Sequence, residues 1–90
     1  MANMKTATEL KRNLDGFNGD ARLYRCAPPL DGHEYVIVSA AVVFMTGPET
    51  YIFGATKDGE IENWSELDGS FRGGLDHVHA LNEAGYEVTP

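Results

Sequence analysis

The sequence predicts an α+β domain: an antiparallel sheet of four or five strands packed against one main C-terminal helix, over about residues 75–84, with a short helix near the N-terminus. Three observations carry that reading. The stretch Tyr35 to Met45 is apolar and β-branched at nearly every position, as in a strand buried on both faces. Lys57-Asp58-Gly59-Glu60 sets an Asp-Gly pair between strand-like runs, which is the strongest hairpin signal in the chain. Leu75, Val78 and Leu81 then recur at helical spacing ahead of Gly85, a residue suited to the left-handed position after a helix end.

In chain order, Thr6-Ala7-Thr8-Glu9 matches a capping box, and Leu10 and Leu14 follow one turn apart, so a helix is expected from about Ala7 to Leu14. Asp15-Gly16 and Asn18-Gly19 stop it. So short a helix forms only if it docks on something. The chain is therefore expected to be one domain, residues 1–90, with residues 1–19 peripheral or partly ordered and residues 20–90 as the core. Ala21 to Cys26 alternates like a half-exposed strand and ends at Pro28-Pro29, where two ladder donors are missing.

Asp31-Gly32 turns the chain into the central strand, and Thr46-Gly47-Pro48-Glu49 turns it out again into a strand over Thr50 to Thr56. If Lys57 faces Glu60 in the next hairpin, Thr56 faces Ile61 and Phe53 faces Trp64. Tyr51 shares that aromatic face, which is expected to be the core side. Tyr86-Glu87-Val88 closes the chain as a last short strand, with Tyr86 packing back on Leu81.

This layout leaves an imbalance, because the central strand is apolar on both faces and only one substantial helix is available to cover it. Either the N-terminal helix covers the second face or another copy of the chain does. A domain of about this length buries only about 60% of its unfolded surface, which also favours a homo-oligomer, a dimer first.

Seven Lys and Arg against fourteen Asp and Glu give a formal charge of −7. A negative field repels a phosphate backbone, so duplex nucleic acid is not an expected partner. A solvated acidic surface is a commoner reason for such a charge than mimicry of DNA. Cys26 is the single cysteine, which removes internal disulfides and cysteine-based zinc motifs and suits a reducing compartment. No signal-peptide core or membrane-spanning apolar run is present, so a soluble, cytoplasmic protein without membrane partners is expected.

Catalytic constellations are weak. Asp76, His79 and Glu83 would share one helix face, but no second ligand cluster supports a metal there, and none is expected. Ser70, His77 and Asp76 have the residue types of a hydrolytic triad, yet Ser70 follows its glycine directly instead of sitting at a nucleophile elbow. Cys26 reads as a small buried strand residue. No catalytic residue and no cofactor are expected, and the chain is read as non-enzymatic.

The stretch Glu66 to Gly74 is the strongest candidate site. Backbone donors at Gly69, Ser70, Gly73 and Gly74, a helix start beyond them and the forked guanidinium of Arg72 together suit an anion, with Trp64, Phe71 or Tyr51 available to stack on a base. The ligand-binding candidates are thus Ser70, Arg72, Gly73, Gly74, Trp64, Phe71 and Tyr51. The stretch matches neither phosphate-loop pattern, and the plainer reading is a tight connector in which Arg72 pairs with Asp68 or Asp76.

Across residues 21 to 88 the chain resembles a group of small proteins of actinobacterial phages that have no assigned activity. The likeness rests on the order Leu23-Tyr24-Arg25, Pro28-Pro29-Leu30, Tyr35 to Ala40, Glu49 to Phe53, Asn63 to Leu67, Gly69 to His77 and Ala80-Leu81 through Gly85-Tyr86-Glu87-Val88. It transfers no site residue. What it implies is context: a phage product in the cytoplasm of a host bacterial cell, binding and modulating a host protein. A sponge for a small nucleotide signal, through Ser70 to Gly74, is the alternative, and a minor structural virion protein is a further one.

Overall fold

The computed structural model describes residues 5–17, 19–45 and 47–89. Strand β1 (Thr6–Lys11) is followed by β2 (Asp20–Leu30), β3 (His33–Val43) and β4 (Gly47–Ala55), then by the short strands β5 (Ile61–Asn63) and β6 (Phe71–Arg72). Helix α1 (His77–Glu83) and strand β7 (Glu87–Thr89) close the chain. The sheet runs β5-β4-β3-β2-β1-β7, with β6 also on the free edge of β4. All pairs are antiparallel except β1 with β7, which are parallel.

The α+β expectation is therefore corrected. Among the described residues the fold is mostly β, 54% strand and 9% helix, with seven strands in a mixed sheet in place of four or five antiparallel ones. The expected N-terminal helix is strand β1, hydrogen-bonded to β2 on one side and β7 on the other. A local helix of two turns is marginal in water. As a strand, the same residues gain two ladders, place Ala7 fully inside the core and let Thr8 Oγ1 meet Thr89 Oγ1 at 2.9 Å. Within the N-terminal segment, Thr6–Lys11 is thus part of the sheet.

The central run behaves as its composition requires. β3 pairs along its length with β4, from Tyr35 opposite Ala55 to Val43 opposite Gly47, and Val36, Ile37 and Val38 are fully buried. Alternation sends Val36 and Val38 to one face with Tyr24, Cys26 and Ile52, where α1 contributes Ala80 and Leu81 and the closing strand contributes Tyr86. Ile37 points to the other face with Ala21, Leu23 and Ala55, partly roofed by Leu14 and Phe17 from the loop between β1 and β2.

The main helix is shorter than expected, because Asp76 caps it: its side chain accepts from His79 N at 2.9 Å. The inward stripe also differs, since His77, Ala80 and Leu81 are buried while Leu75 and Val78 are exposed. His77 Nε2 donates to the Asp20 carbonyl oxygen at 2.7 Å, which satisfies its buried ring. Tyr86 N bonds Leu81 O and Gly85 N bonds Asn82 O, both at 2.9 Å, so the helix ends as the Gly85 signal indicates.

The β4–β5 hairpin closes through Thr56 N to Glu60 O, with Gly59 left-handed, a three-residue loop that shifts the register. Ala55 faces Ile61 in place of Thr56, and a bulge then brings Gly54 opposite Asn63. The bulge restores the alignment that sets Phe53 beside Trp64.

Candidate functional site

The glycine-rich stretch is first a piece of surrogate strand. Leu67 N bonds Ile52 O at 2.9 Å, Ser70 Oγ accepts from Ile52 N and donates to Leu67 O, both at 2.8 Å, and Gly73 N bonds Pro48 O at 2.8 Å. Thr50 Oγ1 donates to Gly74 O at 2.8 Å and accepts from Asp76 N at 3.1 Å. These bonds stitch residues 67–76 along the β4 edge that β5 leaves unpaired. The Ser70 N–H bonds Leu67 O at 3.2 Å, so the amides of Ser70 and Gly73, two of those expected to seat an anion, are engaged within the chain. Gly69 lies against α1, where an added Cβ would stand 2.3 Å from the Ala80 carbonyl oxygen.

The ion-pair partners of Arg72 are Glu49 and Glu66 in place of Asp68 or Asp76. Its Nε donates to Glu49 Oε2 at 3.2 Å, Nη2 lies 3.8 Å from Glu66 Oε1, and the guanidinium sits 5.8 Å from the Tyr51 ring centre. Glu49 is buried and also accepts from Tyr51 Oη. That hydrogen bond, with some burial, raises the Tyr51 phenol above its usual range. The Arg72 side chain is itself 69% exposed.

The seven candidate residues do not converge on one site. β6 sets Phe71 opposite Thr50 and Arg72 opposite Glu49, and adjacent strand residues point to opposite faces. Phe71 packs on the helix side of the sheet, edge-on to His79 at 4.9 Å, and Ser70 is spent on β4. Tyr51, Trp64 and Arg72 belong to the other face, and Gly73 and Gly74 link the two.

On that other face the aromatics form a ladder. Tyr51 and Phe53 lie 6.0 Å apart, Phe53 meets Trp64 edge-on at 5.2 Å, and Trp64 lies 6.2 Å from Phe17. Between the ladder and β3 runs an open groove of about 610 Å³, floored by the small residues Ser39 and Ala41 and continued by Val42 and Phe44. None of its lining residues is charged. Trp64 is 65% exposed, and at the tip of the β3–β4 hairpin Phe44 and Met45 are 88% and 90% exposed. The aromatic face expected to be core is thus half open: Leu14 and Phe17 roof Ile37 and Leu23 but stop short of the hairpin.

The remaining candidates do not line the groove. Asp76 caps the helix and His79 Nε2 lies 3.7 Å from Glu83 Oε1, with no group of metal-binding side chains among the described residues. Ser70 and His77 are each bonded elsewhere. Cys26 is buried in the core, and burial pushes its thiol up to about 12. No helix among the described residues is long and apolar enough to cross a membrane.

Comparison with protein-family models, curated sequences and solved structures gives no match. The groove residues Phe17, Phe53, Ser39, Ala41, Val42 and Phe44 were not candidates in the sequence. Their signals there are the expected Phe53–Trp64 pairing and the run Ser39-Ala40-Ala41, small residues set in a strand of valines opposite the aromatics of β4.

Proposed function

We propose that this chain is a non-enzymatic binding module that engages a protein partner through the open aromatic face of its sheet. The observation that carries this reading is the asymmetry of the two faces. The helix side is closed by Ala80, Leu81 and Tyr86, while the other side leaves an uncharged aromatic groove beside an exposed apolar hairpin tip. Contiguous apolar surface of this kind is costly to leave in water and typically marks a contact surface. Its composition of aromatic residues and Met with no charge matches the centre of protein interfaces. The host protein and the cytoplasmic setting rest on the likeness to phage proteins.

The experiment is affinity capture of tagged full chain from infected bacterial cells, comparing wild type, Trp64→Glu and Arg72→Ala. Capture of the same protein by wild type and Arg72→Ala, lost with Trp64→Glu, supports the reading; retention by Trp64→Glu refutes it. The nucleotide-sponge reading has less support, since the loop amides of Ser70 and Gly73 are engaged and Arg72 is held by Glu49. A thermal-shift panel of small nucleotides tests it: a ligand at 100 times its dissociation constant stabilises by about 2.7 kcal/mol.

A further inference from the structure

We infer that the protein partner engaging the open face is basic, and that it lays an arginine side chain on the Trp64 end of the aromatic ladder. This rests on the reading of that face as a protein-contact surface and names the chemistry of what the surface takes.

The ladder already holds one guanidinium of the chain's own. At the Tyr51 end the Arg72 guanidinium sits 5.8 Å from the ring centre, with Glu49 Oε2 3.2 Å from Nε and Glu66 Oε1 3.8 Å from Nη2. An aromatic face with carboxylates beside it attracts a cation twice over. At the other end the same ingredients recur without a cation: among the described residues, no Lys or Arg stands over the Phe53, Trp64 or Phe17 rings. Trp64, the one tryptophan of the chain, is the best ring type for such a contact and is 65% exposed. Phe53 and Phe17 are tilted against it by 63° and 42°, so the rings wall a concave groove in place of a flat platform. Ser39 puts a hydroxyl acceptor on the groove floor.

Charge selects the occupant. The chain carries −7, and within four residues of Trp64 or Phe17 the sequence places Glu60, Glu62, Glu66, Asp68, Asp15 and Asp20 and no Lys or Arg. Glu62, Glu66 and Asp15 are exposed and stand two residues from one ring or the other, so their Cα atoms lie within about 7 Å of that residue's Cα. That is inside the screening length of about 8 Å at physiological salt. Glu62 spends one oxygen on His33 Nδ1 at 3.2 Å, and Arg72, flanked by Glu49 and Glu66, confines the opposing charge to the Tyr51 end. Such a field draws in a cationic segment and repels an anionic one. Arginine suits the rings better than lysine, since its guanidinium is planar, weakly hydrated and stacks on aromatic faces.

The test is a titration of the isotopically labelled full chain with N-acetyl-arginine amide, read by NMR at the Trp64 indole N–H and in the emission of the same ring. N-acetyl-citrulline amide, its uncharged isostere, and tetramethylammonium chloride are the comparison probes. The arginine probe is expected to shift the Trp64 and Phe17 signals saturably and to bind at least about threefold more tightly than the citrulline probe. Its binding is expected to weaken at least about threefold between about 20 and about 500 mM NaCl, and to weaken in the double variant Glu62→Gln, Glu66→Gln. Glu87→Gln, an exposed carboxylate on β7 at the far edge of the sheet, is expected to leave it unchanged. Tagged chain carrying its partner from infected cells is then washed with each probe, and release by the arginine probe but not by the citrulline probe is expected.

Equal binding of the arginine and citrulline probes overturns the inference, as does binding that leaves Trp64 unmoved. Tighter binding of tetramethylammonium than of the arginine probe makes the occupant a free organic cation and overturns it too. If the partner is captured through Trp64 yet the arginine probe leaves that ring unmoved, this inference fails and the binding reading stands. If Trp64→Glu retains its partner, both fail.

Discussion

Replacing Thr50 by valine removes one hydroxyl and nearly no volume, and the structure assigns that hydroxyl to holding the glycine loop on β4. Thr50 is fully buried, donates to Gly74 O at 2.8 Å and receives Asp76 N at 3.1 Å. Each such bond contributes about 0.5–1.5 kcal/mol net, so the pair gives about 2 kcal/mol. In a domain of this size that lowers Tm by roughly 8–16 °C. Urea unfolding should show a lower midpoint at unchanged m-value, and hydrogen exchange should quicken first at Asp76 and the opening turn of α1. Thr50→Ser keeps both bonds and should lose less. A valine variant as stable as wild type would refute the connector account of the loop. It would also reopen the question of what fixes Arg72 beside Glu49.

Three further outcomes follow from the same geometry. Gly69→Ala forces a Cβ to 2.3 Å from the Ala80 carbonyl at a φ of +102°, whereas Gly73→Ala at +101° meets nothing within 4 Å. Both pay backbone strain of about 1–3 kcal/mol, and Gly69→Ala should be clearly the less stable in urea melts. Cys26, buried and with its thiol pushed up to about 12, should resist thiol reagents in the native protein and react at the rate of unfolding, measured by labelling across urea concentrations. The Arg22 hydrogen bond holds the Asp20 carboxyl below the usual aspartate range. Its folded pKa is the lower one, so its contribution is present near neutrality and lost as pH falls through that lowered value. For a pair this exposed the contribution is about 0.2–1 kcal/mol, and Asp20→Asn should flatten the fall of the urea midpoint below about pH 4.

The parts of the fold that were legible in the sequence rest on strong local signals. The β-branched run became the central strand, the Gly85 signal ended the helix, and Asp58-Gly59 made a hairpin. The parts that were not legible were decided by tertiary pairing. Thr6 to Lys11 carries a helix-start pattern, yet two strand partners and a buried Ala7 outweigh a two-turn helix. The helix stripe was misread because His77 finds a carbonyl partner inside while Leu75 lies before the Asp76 cap. At the site, the residue types of the loop suggested an anion seat. They do not show that Ser70 would spend its hydroxyl on Ile52 or that Arg72 would find Glu49, twenty-three residues away in the chain. The Phe53–Trp64 pairing was readable, but whether that face is core or contact depended on how far Leu14 and Phe17 reach across it.

Native mass spectrometry of the protein recovered from infected cells tests the central claim, that the aromatic face is a protein-contact surface. The account predicts the 9.8 kDa chain bound to a host polypeptide, in a complex that Trp64→Glu removes and Arg72→Ala leaves in place. A single chain carrying a small nucleotide that Arg72→Ala releases, or a polypeptide complex indifferent to Trp64→Glu, would contradict it.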